Sequence, residues 1–273
     1  MSAQQKTIRR VLVTGATGRL GSIIVPALLD AGYLVRMTDI RAPAAIPDGA
    51  AYVRADLCDG VAMMRAAEGC QAVVHLGGTS GDPDAPDALL SITRGTFNVS
   101  EAAAHANARL ILASTCHVVG LLPLDARPSV AAPLAPDGHY GAAKAYAEML
   151  AALHWRRHGL PAVVLRIGLC GVDPVVERHL SMWLSPGDFG RLVLASLGAS
   201  RLGHATIWAA SHSSTPFYGV DDRELIGWAP EDSAEPWRER LAGVHHRAAL
   251  GPVANTTIGG PYCARLRAAG LIG

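Results

Sequence analysis

Tyr140 and Lys144 stand four residues apart in Tyr140-Gly141-Ala142-Ala143-Lys144, so on a helix a phenol and an ammonium share one face. A phenol with a pKa of about 10 is a poor base at neutral pH. A neighbouring ammonium favours the phenolate and lowers that pKa. The pair suits removal of a proton from a hydroxyl. Upstream, Ser114-Thr115-Cys116-His117 offers the Thr115 hydroxyl to orient a reacting oxygen. His117 reads as a second polar contact or as a satisfied structural histidine. Cys116 has no neighbouring base, so it reads as a small lining residue and not as a nucleophile.

A second constellation lies near the start, in Thr14-Gly15-Ala16-Thr17-Gly18-Arg19-Leu20-Gly21. Between an apolar strand and a helix, this G-x-x-G-x-x-G spacing makes a dinucleotide pyrophosphate site. Gly15 permits the tight turn, Gly18 lets the backbone approach the phosphates and Gly21 allows close helix–sheet packing. Thr17, Arg19 and Leu20 complete the loop and first helical turn, whose unpaired N–H groups face the anion. Asp39, eighteen residues past Gly21, ends the next strand, where a carboxylate accepts from ribose hydroxyls and repels a 2′-phosphate. That favours NAD over NADP. Arg41, two residues on, is able to hold a 2′-phosphate and keeps the other cofactor open. Asp56 and Leu57, after the third strand, are placed to meet the adenine, with a turn-opening aspartate as the alternative. Beside such a cofactor, Lys144 would also reach the nicotinamide ribose, and the proton chemistry becomes hydride-transfer chemistry.

The elements that must position these groups alternate regularly. Val11–Val13, Tyr33–Thr38, Ala51–Val53, Ala72–Leu76, Arg109–Ala113 and Ala162–Arg166 read as strands. Helical patterns run from about Ile23 to Gly32, from Ala88 to Ala106 and onward from Tyr140. Strands that are apolar almost throughout, separated by helices, imply a parallel sheet covered on both faces. The expected fold is a doubly wound, Rossmann-like α/β domain with its ligands at the carboxyl ends of the strands. Beyond Cys170 the pattern weakens: a loop with a short helix over Asp173–Pro186, a helix over Phe189–Leu197, a strand over Thr206–Ala209 and a helix over Glu235–Ala242. The expected organisation is one domain over 1–273. Within it, 8–170 mainly binds the dinucleotide, 171–242 mainly binds substrate, and 243–273 is a loosely packed tail.

Composition sets the outer limits. The 273 residues are half hydrophobic with a formal charge of +1, which gives a sizeable core and no electrostatic case for nucleic acid or an anionic membrane. Five scattered cysteines without CxxC spacing suggest buried reduced thiols in a cytoplasmic protein, with neither disulfide framework nor metal site. No signal-peptide core or membrane-length apolar run is present in these residues.

These motifs resemble those of the extended short-chain dehydrogenase/reductase family, which includes the NAD-dependent epimerase/dehydratase group. Over about residues 10 to 242 the chain is most similar to bacterial uronate dehydrogenases. Besides the glycine turn, the resemblance rests on His75-Leu76-Gly77-Gly78-Thr79-Ser80, Ser114-Thr115-Cys116-His117, Pro136-Asp137-Gly138-His139-Tyr140-Gly141, Arg166-Ile167-Gly168, Leu180-Ser181-Met182-Trp183-Leu184-Ser185 and Leu225-Ile226-Gly227-Trp228. The Leu-Ser-x-Trp segment is the most specific of these.

The resemblance implies NAD-dependent oxidation at C1 of a hexuronate to an aldarolactone, by an enzyme that is a homo-oligomer. Tyr140 would be the base, Lys144 its partner, and Thr115 the orienter in place of the usual serine. Leu76, Gly77, Gly78 and Ile167 would line the cofactor. Ser80 and His117 would contact the sugar, and Arg178 would bind its carboxylate, a geometry an arginine fork suits in any case. Cys116 and Leu169 fall at substrate positions where those enzymes have asparagine and serine, and Ile92 replaces an expected asparagine. These three changes point to a less polar or differently shaped substrate. Two rival readings remain: a sugar or nucleotide-sugar epimerase or reductase with bound NAD, and a non-catalytic dinucleotide-binding regulator. Only about a hundred residues follow the sixth strand, little for enclosing a nucleotide diphosphate.

Overall fold

The computed structural model describes residues 8–78, 86–200, 202–246 and 250–268, with the side chains of 86–88 and 265–268 outside that description. Strands β1 (Arg10–Thr14), β2 (Leu34–Asp39), β3 (Ala50–Arg54), β4 (Ala72–His75), β5 (Arg109–Thr115) and β6 (Ala162–Ile167) form the main sheet. A two-stranded piece follows, β7 (Leu169–Cys170) with β8 (Trp183–Leu184), and β9 (His204–Ala209) returns to the main sheet. The order is β3-β2-β1-β4-β5-β6-β9, every pairing parallel. It reverses between β1 and β4, the switch point where a doubly wound sheet opens a ligand crevice.

Alternation along the strands builds both faces. Val11 and Val13 point to one side with Ile111, Val163 and Leu165, under α1 (Arg19–Asp30). Leu12 points to the other with Val73, Leu110 and Leu112. There α2 (Gly60–Ala67), α3 (Pro86–His105) and α4 (His139–His158) cover the sheet. On the first side α5 (Pro186–Gly198) packs against α1 through Phe189, Leu192 and Val193. Burying both faces explains why the strands carry so few polar residues. The exception is β3, an edge strand with Ala51, Val53 and Arg54 exposed.

Register brings the chemistry-bearing residues level. Thr14 pairs with Thr38 and with His75, and Thr115 with Ile167. Loops leaving those positions share one edge of the sheet.

The C-terminal residues depart from the expected loose tail. After α6 (Arg238–Leu241), the short α7 (Val253–Thr256) and α8 (Pro261–Ala268) fold back onto the loop after β5. Leu124 donates to the Thr256 carbonyl at 2.8 Å, Ile258 to Leu122 at 2.9 Å and Gly259 to Gly120 at 2.8 Å. Ala254, Ile258 and Cys263 are fully buried. Helices of four to eight residues are too short to show periodicity, so the packing left no pattern to read.

Candidate functional site

A cleft of about 950 Å³ opens at the carboxyl edge of the sheet, across the switch point. Its wall brings together Gly15, Gly18, Arg19, Leu20, Asp39, Arg41, Asp56 and Leu57 with Leu76, Gly77 and Gly78. The same wall continues through Thr115, Tyr140, Lys144, Ile167 and Leu169.

The cofactor half follows from backbone geometry. Gly15 has φ +67°, and a Cβ there would lie 2.8 Å from the Gly77 backbone, so only glycine allows these two loops to touch. Helix α1 starts after Gly18 with no side-chain cap, leaving its first-turn amides open to an anion. Gly21 abuts the Ala16 carbonyl, which is close helix packing and not part of the cleft wall. Thr17 acts through its backbone, donating to Asp39 Oδ2 at 3.2 Å, while Arg41 N donates to Oδ1 at 3.2 Å. The Asp39 carboxylate is thus oriented with lone pairs to spare. Asp56 is partly committed elsewhere: its Oδ1 accepts from Cys58 N at 2.8 Å. An uncapped helix end, a glycine-only contact and an oriented carboxylate at the second strand fit a dinucleotide.

Behind this turn sits His75, wholly buried. Its Nδ1 is 2.7 Å from the Thr14 hydroxyl and its Nε2 3.2 Å from that of Thr96. Burial, reinforced by the charge of Lys144, pushes its pKa down to about 3, so the ring is neutral.

In the chemical half, Lys144 is buried on α4 and its Nζ donates to the Ala113 carbonyl at 2.8 Å. Burial lowers its pKa to about 8 against the opposing influence of Glu148. Tyr140 is half-buried beside it. Burial, then the proximity of Cys116, pushes the phenol up to about 12, and a hydrogen bond from Thr115 works the other way. In the free protein the phenol is therefore protonated.

Among the described residues Cys116, His117 and Arg178 lie off the cleft wall. Cys116 is packed with Val118, Val119, Met182 and Trp208, because the chain turns into a 3-10 helix over Cys116–Val119 as soon as β5 ends. His117 donates from Nδ1 to Asp137 Oδ2 at 2.5 Å, and its ring meets those of Tyr140 and Tyr262 edge-on. Arg178 is buried, its Nη2 donating to the carbonyls of Ile258 at 2.5 Å and Thr257 at 3.3 Å. Ile92 is buried against Gly78. Ser80 lies outside the described residues.

Three features escaped sequence reading. Asp137 was legible only as part of a motif, and Tyr262 sits in the aperiodic C-terminal residues. Glu148 on α4 looks like a surface residue but is buried, accepting from Ser114 Oγ at 2.5 Å and from Arg166 Nη2 at 2.8 Å. Its spacing of four after Lys144 was the one available signal.

The family model for the NAD dependent epimerase/dehydratase family matches residues 11–171. The chain belongs to that family. A uronate dehydrogenase of Agrobacterium fabrum (strain C58) is 33% identical over 235 residues, covering 86% of this chain and 89% of the relative. The crystal structure of a glucuronic acid dehydrogenase from Chromohalobacter salexigens superposes with a TM-score of 0.88 at 32% identity, over 94% and 97% of the two chains. A tyrosine-to-alanine variant of Agrobacterium tumefaciens uronate dehydrogenase, solved with NAD, gives 0.86 at 30% identity over 93% and 97%. This epimerase/dehydratase family member is an NAD-dependent dehydrogenase acting on a CH–OH group.

Proposed function

We propose that the protein is a uronate dehydrogenase, oxidising the C1 hydroxyl of a hexuronate to an aldarolactone. The observation that carries this reading is that Tyr140, Thr115 and Lys144 share one cleft wall with the glycine turn and Asp39. The names of the similar proteins support the sugar acid. The glycine turn and Asp39 would hold NAD, which would supply the hydride acceptor for C1. Tyr140 takes the hydroxyl proton, Thr115 holds the reacting oxygen, and the Lys144 ammonium stabilises the phenolate. Arg178, a buried guanidinium one loop away, is the group for the substrate carboxylate.

Initial rates of NAD reduction with galacturonate and glucuronate, each beside its neutral parent sugar, test the assignment. Selective turnover of the acids is expected; turnover of neutral sugars alone would overturn it. That second reading, a neutral aldose, draws on two observations: Leu169 on the cleft wall and Arg178 already held by main-chain carbonyls.

The proposal extends to a cytoplasmic homo-oligomer. No helix among the described residues is long and apolar enough to cross a membrane. Tyr146, Met149 and Leu153 form an exposed stripe on α4 at spacings of three and four. Light scattering on the purified protein decides between monomer and oligomer.

A further inference from the structure

Three charged side chains are buried at and beneath the cleft wall: Lys144 and Glu148 on α4 and Arg166 on β6. Glu148 takes Arg166 Nε at 3.1 Å and Nη2 at 2.8 Å, and also the Ser114 hydroxyl at 2.5 Å. Arg166 in turn lies over the Trp208 ring, its Cζ 4.9 Å from the centroid. A buried ammonium with no counter-charge is strongly disfavoured. One turn along the helix, Glu148 is the carboxylate placed to offset Lys144.

Ser114 ties that carboxylate to the reacting groups. It follows Ala113, whose carbonyl receives the Lys144 ammonium, and precedes Thr115; all three line the cleft.

We propose that Glu148 is a positioning residue for the dehydrogenase: it keeps Lys144 charged and, through Ser114, fixes the end of β5 that carries the Ala113 carbonyl and Thr115. This rests on the roles proposed for Tyr140 and Lys144. The groups around Lys144 are Tyr140 and Glu148, one turn to either side of it on α4, the Ala113 carbonyl from β5 and His75 from β4. Arg166 holds and neutralises the same carboxylate, so removing it should leave more of the Glu148 charge for Lys144 and shift that ammonium in the direction opposite to the loss of Glu148.

The chain has two lysines, Lys6 and Lys144, so protein grown on isotope-labelled lysine shows two side-chain signals by NMR. A Lys144→Arg variant assigns them. The Lys144 midpoint, at about 8 in the wild type, should fall by about 1 unit in Glu148→Gln and rise in Arg166→Gln. The alkaline limb of kcat for NAD reduction should move in the same two directions. Unchanged midpoints in folded variants, or shifts of one sign in both, overturn the proposal. If Glu148→Gln does not fold, Arg166→Gln decides alone: a rise supports and no change refutes. Opposed shifts in a protein that oxidises no sugar would uphold the hold of Glu148 on Lys144 and sink the reading of the site.

Discussion

Arg178 Nη2 donates to the Ile258 carbonyl at 2.5 Å, joining the loop after β7 to a segment eighty residues further along the chain. The guanidinium that an acidic substrate would need is therefore oriented by the protein's own backbone, while its Nε is buried without a partner among the described residues. Charge-assisted hydrogen bonds contribute about 1.5–3 kcal/mol, so Arg178→Met should raise KM for hexuronates about 10- to 100-fold. KM for a neutral sugar should hardly move. Equal losses for acid and neutral sugar would mean that Arg178 serves only to latch the C-terminal residues.

Gly260 supports that latch. It has φ +61°, and a Cβ there would lie 2.6 Å from the Arg178 Cζ. Gly260→Ala combines left-handed strain of about 1–2 kcal/mol with displacement of the guanidinium. It should lower Tm and raise the acid's KM while leaving kcat near wild type. Gly251, at φ +68° with nothing within 4 Å, is the control: its alanine variant should lose similar stability with KM unchanged. Matching KM values in the two variants would count against the Arg178 contact.

In the proposed reading, cofactor choice rests on Asp39 against Arg41. Both carboxylate oxygens are oriented by backbone donors, Thr17 N and Arg41 N, so the charge is fixed where a 2′-phosphate would arrive. The exposed Arg41 side chain lines the same cleft. Asp39→Ala should weaken NAD and admit NADP, lowering the NAD/NADP ratio of kcat/KM by about 100-fold. An unaltered ratio would move the selectivity to another residue.

What sequence conveyed and what it concealed divide along physical lines. The central strands of the main sheet were legible because burial on both faces makes them apolar almost throughout, as in Val11-Leu12-Val13. The glycine turn and Tyr140-Lys144 were legible because each is local: a turn needs adjacent glycines and a shared helix face needs a spacing of four. Helix α2 was not read, because eight residues containing Gly60 and Arg65 give too few turns for a period. The grip of Glu148 on Arg166 and Ser114 joins residues 18 and 34 positions apart. No spacing rule reaches that far, and a glutamate inside a helix reads as solvated. The same holds for Arg178 and Ile258, which meet only because α7 and α8 fold back.

His75 makes acid stability a test of the buried layer behind the cofactor turn. Its pKa of about 3 in the folded protein lies below the ordinary value of about 6.5 in the unfolded chain. Between these values the unfolded state binds the extra proton. The neutral ring's contribution is therefore complete above about pH 6.5 and is lost as pH falls towards 3, by up to about 1.4 kcal/mol per pH unit. His179, lowered to about 4 chiefly by burial, acts in the same direction. His75→Gln should be less stable at neutral pH yet show a shallower decline on acidification, read from urea unfolding across that range. Because Thr14 also accepts from Gly77 N at 3.3 Å, NAD affinity should weaken along with the fold in the wild type. Parallel slopes in wild type and variant would place the acid sensitivity elsewhere.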